Sequence, residues 1–169
     1  PQLGPYLAME LLSGEDLGRT LEREGQLSLR DVGHVVVQGC RALEQVHGAG
    51  ILHRDIKLEN FFLCTGKKDV VLKLIDFGVA KLEDDGGGKL TRPGELLGTL
   101  EYMSPEHVLM RGGIDARADL YSVAVVGYRA LTGKVPFEAE SLGELVLAIT
   151  TTTPVPPSRL REGVGPEID

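Results

Sequence analysis

The stretch HRDIKLEN, His53 to Asn60, limits what this chain can fold into more than any other, because Asp76, Phe77 and Gly78 follow it at a distance of sixteen residues from Asn60. It gathers a carboxylate at Asp55, a cation at Lys57 and a metal-capable amide at Asn60 into one short loop. A second carboxylate, Asp76, lies beyond what reads as a hairpin: Phe61, Phe62 and Leu63, a polar turn from Gly66 to Asp69, then VVLKLI from Val70 to Ile75. The turn is expected to bring Asn60 and Asp76 toward each other. Four fixed letters at set offsets recur by chance at roughly one in 10⁵ start points if each residue type runs at about 5%. With Asp-Phe-Gly following, coincidence is negligible.

The 169 residues suffice for one sizeable domain with its own core, and 42% hydrophobic with 25% charged residues is the composition of an ordinary globular chain. Twenty-five acidic against 18 basic residues leave a net charge of −7, which argues against a nucleic-acid-binding surface. Solubility explains that charge, and an acidic cleft drawing in basic peptide segments is the sharper alternative. Cys40 and Cys64 have no metal-type spacing, and Cys40 falls on an apolar helical stripe, so buried reduced thiols and a reducing cytoplasm are expected. The longest apolar stretch, Leu120 to Leu131, is interrupted by Tyr121, Ser122, Tyr128 and Arg129 and is too short to span a bilayer. No leader-like segment opens the sequence.

In chain order, Tyr6 to Leu12 reads as a short apolar strand broken by Ser13 and Gly14 before a helix that starts near Asp16. A lone strand cannot satisfy its backbone groups, so further residues are expected upstream of Pro1. Ser28 and Asp31 resemble a capping box ahead of Val32, Val35, Val36, Gly39, Cys40, Leu43 and Val46, which recur at helical spacing until Gly48 and Gly50. From Leu82 to Gly98 glycine and charge predict a mobile surface loop. After GTLEYMSPE, Gly98 to Glu106, Asp115 is placed to cap a helix from about Arg117 to Leu131 that is apolar on nearly every side and ends at Gly133. Ser141 and Glu144 predict a second capped helix, TTTPVPPSRL an extended proline-stiffened segment, and Pro166 with Glu167 the start of another helix. There is no internal repeat.

The loop and its Asp-Phe-Gly partner resemble the catalytic and magnesium loops of protein kinases, and the chain looks like part of a serine/threonine protein kinase of the bacterial branch. The fold so implied is α+β and mainly α: the large, C-terminal lobe, with a remnant small-lobe strand and hinge. In that reading Asp55 orients or accepts the proton of the acceptor hydroxyl, Lys57 stands beside the transferred phosphate, and Asn60 and Asp76 hold Mg²⁺, with Mn²⁺ as an alternative. ATP is the implied cosubstrate. Met9, Glu10, Leu12 and Glu15 would lie along the adenine and ribose, Glu59 beside the nucleotide, and Phe61, Phe62 and Leu63 as a floor under adenine. His53 and Phe77 would pack into the core, Asp119 would accept hydrogen bonds from the catalytic-loop backbone, and Arg54 would pair with a phosphorylated residue of the mobile loop. Lys57, with Gly98 and Thr99, points to Ser or Thr of proteins as acceptors. Thr91, then Thr99, are the candidates for autophosphorylation.

Two features depart from the family pattern. Ser104 stands where Ala is usual in Ala-Pro-Glu, a mild variation. The glycine-rich phosphate loop, strand lysine and helix glutamate are absent from residues 1–169, as are the last large-lobe helices. The chain is therefore expected to be one partial kinase domain that alone binds ATP weakly and does not turn over. Bacterial members often continue into a membrane-anchored sensor region. A pseudokinase would have no need of an intact loop, Asn60 and Asp76 together, and small-molecule kinases of similar fold lack the Gly98 to Glu106 segment.

Overall fold

The computed structural model describes residues 6, 8–65, 70–77, 98–110 and 112–169. Strand β1 (Gly14–Asp16) is followed by helices α1 (Leu17–Glu24) and α2 (Leu29–Gly48), and the chain then passes through the loop at His53 and a 3-10 turn (Leu58–Asn60). Strands β2 (Phe61–Thr65) and β3 (Val70–Leu74) come next, then α3 (Pro105–Val108), α4 (Ala116–Thr132), α5 (Leu142–Thr151), α6 (Pro157–Leu160) and a last 3-10 turn (Pro166–Ile168). The architecture is α+β and mainly α. Among the described residues no helix is long and apolar enough to cross a membrane.

Caps fix the helix starts as their sequences predict. Asp16 accepts from the Arg19 amide at 3.0 Å, Ser28 from the Asp31 amide at 3.1 Å, Asp115 from the Arg117 amide at 2.9 Å and Ser141 from the Glu144 amide at 3.3 Å. At the second of these the short Asp31 carboxylate meets the Ser28 hydroxyl, 2.5 Å away. Gly133, left-handed at φ 75°, closes α4 as expected of a helix C-cap.

The sheet differs from expectation at its first strand. Tyr6 and residues 8–13 carry no regular structure, and β1 is instead Gly14–Asp16, paired antiparallel with Phe62–Cys64. A strand is defined by its partner, and β2 is occupied on its other side by β3. Among the described residues the apolar run before Gly14 has no strand beside it, and Met9 is 68% and Leu11 97% exposed. Gly14 is where β1 can begin: at φ 145° a Cβ there would lie 2.0 Å from the Leu63 carbonyl oxygen.

The main core lies between α1, α2, α4 and the sheet, and includes Leu17, Val35, Leu43, Phe61, Val123 and Val126. Helix α2 also braces the outer edge of β3, where Gln38 Oε1 accepts from the Leu72 amide at 3.0 Å. A smaller cluster of Phe137, Leu145 and Ile149 sits under α5. Helix α4 is not buried all round, because Leu120 and Ala124 lie on a face that nothing covers among the described residues. The proline-rich stretch turns helical at α6 and is tied down by Arg161, whose Nη1 donates to the Leu27 and Leu131 carbonyls, and by Tyr128, whose hydroxyl donates to the Val155 carbonyl at 2.8 Å.

Phe61, fully buried, presses on α2 at Gly39, where a Cβ would fall 2.8 Å from its ring. Alanine at that position gains roughly 1 kcal/mol of helix propensity but overpacks the ring at about 1–3 kcal/mol. Gly39→Ala is expected to lower the unfolding free energy by on the order of 1 kcal/mol in chemical denaturation, and Phe61→Leu should cost less in that background than alone. Stabilisation by Gly39→Ala would contradict this packing.

Candidate active site

Helix α2 ends at Gly48 and the chain reverses at Gly50 (φ 74°) to deliver Ile51 and Leu52 to the loop. One buried carboxylate receives that loop. Asp119, 3% exposed in the first turn of α4, accepts the His53 backbone N–H on Oδ2 at 2.9 Å and the Arg54 backbone N–H on Oδ1 at 2.9 Å. Two amides satisfy a charge whose burial would otherwise be costly. They also hold Arg54 at φ 63°, a left-handed conformation that an arginine adopts only under outside constraint.

His53 has no exposure. Its Nε2 lies 3.2 Å from the Ile75 carbonyl, and its ring meets that of Phe77 at 4.7 Å between centroids. Phe77 is therefore packed on the loop while remaining 39% exposed, rather than sunk in the core. Burial pushes the His53 imidazole below its ordinary pKa, and the Asp119 charge only partly opposes it.

Beyond Arg54 the structure brings together Asp55, Lys57 and Asn60. Lys57 Nζ lies 3.2 Å from Asp55 Oδ2. Buried Asn60 donates from Nδ2 to the Asp55 carbonyl at 2.6 Å and to Oδ2 at 3.3 Å. Its amide nitrogen is thereby turned toward Asp55 and its amide oxygen away from it. The hairpin register, with Phe61 opposite Leu74, is extended by the Ile75 N–H, which donates to the Asn60 carbonyl at 3.0 Å. Asp76, at φ 54°, follows directly. The expectation that the turn draws Asn60 and Asp76 together agrees with this register.

Other expected site residues lie apart from this group. Met9, Glu10 and Leu12 belong to the irregular segment, where Glu10 pairs with Lys73 on β3. Glu15, on β1, accepts from Arg23 Nη1 at 2.6 Å and Thr20 Oγ1 at 3.2 Å, and the Arg23 guanidinium holds its carboxyl below the usual range. Glu59 is exposed in the 3-10 turn beside Asn60. Phe61, Phe62 and Leu63 cannot form one floor, because side chains alternate along a strand: Phe61 and Leu63 join the core, and Phe62, opposite Lys73, faces away from them. Thr91 and Gly78 lie outside the described residues.

The segment before α3 is seated on α4. Ser122 Oγ donates to the Tyr102 carbonyl at 2.7 Å, and Arg129 Nη1 donates to the Tyr102 hydroxyl at 2.8 Å. Burial pushes the Tyr102 phenol up to about 12. Thr99 is half-buried and lines a small cavity with Arg54, Asp55 and His107. Sequence reading missed His47, whose Nε2 lies 2.7 Å from Asp119 Oδ2. Its only signal was a histidine in the last turn of an otherwise apolar stripe, six residues before His53.

The sequence pattern of the protein kinase domain matches residues 4–157. The chain belongs to that family. It is 42% identical over 160 residues to the serine/threonine-protein kinase pkn3 of Myxococcus xanthus, covering 92% of this chain and 29% of that protein. It is 36% identical over 166 residues to the serine/threonine-protein kinase PknB of Mycolicibacterium smegmatis, covering 98% and 26%. With the PknA kinase of Mycobacterium tuberculosis the identity is 40% over 153 residues, covering 90% and 33%. The chain thus spans about a quarter to a third of the length of these curated relatives.

Two outcomes follow for stability. An unfolded chain protonates His53 near pH 6.5, whereas the folded kinase segment resists doing so, so unfolding free energy should fall as pH drops below that value and be insensitive to His53 above it. In denaturation series across that window, His53→Phe should flatten the decline; equal slopes in both proteins would contradict it. Ser104 Oγ is fully buried with no partner among the described residues and makes no cap bond, although Ser104 precedes α3. Ser104→Ala is therefore expected to be neutral or stabilising by up to about 1 kcal/mol, not to cost the ~1 kcal/mol of an ordinary lost cap.

Proposed function

We propose that residues 1–169 are the hinge, catalytic loop, activation segment and large-lobe helices of one serine/threonine protein kinase domain, which transfers the γ-phosphoryl group of ATP to Ser or Thr of proteins. The observation that supports it best is the Asn60 junction: its amide nitrogen is bonded to Asp55 and its carbonyl to the residue before Asp76. Phosphoryl transfer needs an acceptor held in line and charge neutralised on the phosphate, with little covalent work by the protein.

Asp55 orients the acceptor hydroxyl and takes up its proton as the new O–P bond forms and the bond from the γ-phosphorus to the β,γ-bridging oxygen breaks, releasing ADP. Lys57, already within ion-pair distance of that carboxylate, places its ammonium beside the moving phosphoryl oxygens. The Asn60 amide oxygen, turned away from Asp55, and the Asp76 carboxylate are hard oxygen donors. They would suit a divalent ion such as Mg²⁺ or Mn²⁺, which prefers oxygen ligands. When bound, that ion supplies charge neutralisation at the phosphates. Met9, Glu10, Leu12 and Glu15 border the adenosine end, Phe62 and Glu59 the space between it and the loop, and a ribose hydroxyl meeting Glu15 has Arg23 as its competitor. Arg54, with Nε buried and unpartnered among the described residues, suits a phosphate on Thr91 or Thr99.

The reading is tested in the complete domain. Asp55→Asn should lower kcat for peptide phosphorylation by roughly 10²- to 10⁴-fold with nucleotide affinity nearly unchanged, whereas Asp76→Ala should weaken metal-nucleotide binding itself. Unchanged turnover in Asp55→Asn would refute it.

A further inference from the structure

On the outer edge of β3 a side chain of α2 takes the place of a strand. The sheet runs in the order β1-β2-β3, so among the described residues β3 has no strand on its far side. Gln38 Oε1 accepts from the Leu72 amide at 3.0 Å, and Gln38 Nε2 donates to the Val70 carbonyl at 3.4 Å. A C=O and an N–H two residues apart, on either side of Val71, are the pair that one residue of a parallel neighbouring strand would serve. The carboxamide of Gln38 offers the same donor and acceptor, and it meets both groups.

Helix α2 is thereby the common reference for the two halves of the proposed site. Its end at Gly48 leads into the loop that carries Asp55 and Asn60, and at Gln38 it holds the strand that runs on to Asp76. The neighbouring contact, of Gly39 with the Phe61 ring, is apolar and non-directional. It keeps the sheet on the helix without fixing the angle between them. Hydrogen bonds to two backbone groups of β3 do fix that angle, because they depend steeply on direction. Leu72 is 7% exposed, so its amide without Gln38 would be left costly and unpaired. We propose that Gln38 is a positioning residue for Asp76: its carboxamide sets how β3 sits on α2, and so where the Asp76 carboxylate leaves the sheet relative to Asp55 and Asn60. Gln38 acts through Leu72 and Val70 and is not itself a ligand. The role rests on the kinase reading above, and its consequence lies in the binding of metal with nucleotide.

The test compares Gln38→Met, of similar length but without an amide, with Gln38→Glu, whose carboxylate still accepts from the Leu72 N–H. In the complete domain, Mn²⁺ affinity in the presence of a non-hydrolysable ATP analogue should fall roughly three- to tenfold in Gln38→Met. Gln38→Glu should recover most of that loss, since it keeps the shorter of the two bonds. A packing role alone would rank the variants the other way, with Met the milder change. Hydrogen exchange at the Leu72 amide, which needs neither metal nor nucleotide, should quicken in Gln38→Met and stay near the parental rate in Gln38→Glu. A parent domain that takes up no Mn²⁺ with the analogue would count against the kinase reading and overturn the positioning role with it. Where the parent binds, unchanged Mn²⁺ affinity in a folded Gln38→Met, failure of Gln38→Glu to rescue, or unaltered Leu72 exchange would each overturn the role of Gln38 alone.

Discussion

A single buried carboxylate fixes the relation between the helical body and the loop proposed to carry the chemistry. Asp119 lies in the first turn of α4, inside a helix whose next turns bury Ser122, Val123, Val125 and Val126. A charge there is tolerated only if donors surround it, and the donors it finds are consecutive backbone amides of His53 and Arg54 together with His47 from α2. The dependence runs both ways. The loop needs Asp119 because Arg54 sits in a conformation that few arginines adopt, and Asp119 needs the loop because a carboxylate so deeply buried is costly without hydrogen-bond donors.

The second constraint is the hairpin register. Because Phe61 pairs with Leu74 and Asn60 with Ile75, Asp76 leaves the ladder one residue beyond the Asn60 carbonyl. A slip of one residue would send Phe61 out of the core and its neighbours into it. The contact of Phe61 with α2 at Gly39 guards the register. The core and the site are thereby linked through one strand: the ring that fills the interior also determines where the second carboxylate emerges.

The sequence made the chemistry more legible than the sheet. Asp55, Lys57 and Asn60 lie within six residues, so their residue types and offsets survive any error about the surrounding elements. The helix starts at Leu17, Leu29 and Leu142 were readable for the same reason, since an N-cap is a bond between near neighbours. What depends on distant partners was not readable. The apolar letters of Tyr6 to Leu12 look like a strand, but β2 pairs with Gly14–Asp16, and composition carries no record of which segment lies alongside. The three residues Phe61 to Leu63 look equivalent on the page and are divided by the pleat. Helix α4 reads as apolar all round, yet which faces are covered is decided by α2 and the terminal segment. His47 passed as a polar helix end because its partner lies 72 residues away.

The central claim is that Asp55, Asn60 and Asp76 converge on one space where a divalent ion and a nucleotide meet. Paramagnetic broadening by Mn²⁺ measures that convergence directly, in the complete domain with a non-hydrolysable ATP analogue. The side-chain amide of Asn60 and the backbone resonances of Asp76 should broaden first and most, Asp55 next, with Asp115 and Asp169 unaffected. Sharp Asn60 and Asp76 signals at saturating Mn²⁺ and nucleotide, or broadening centred on another acidic group, would contradict the account.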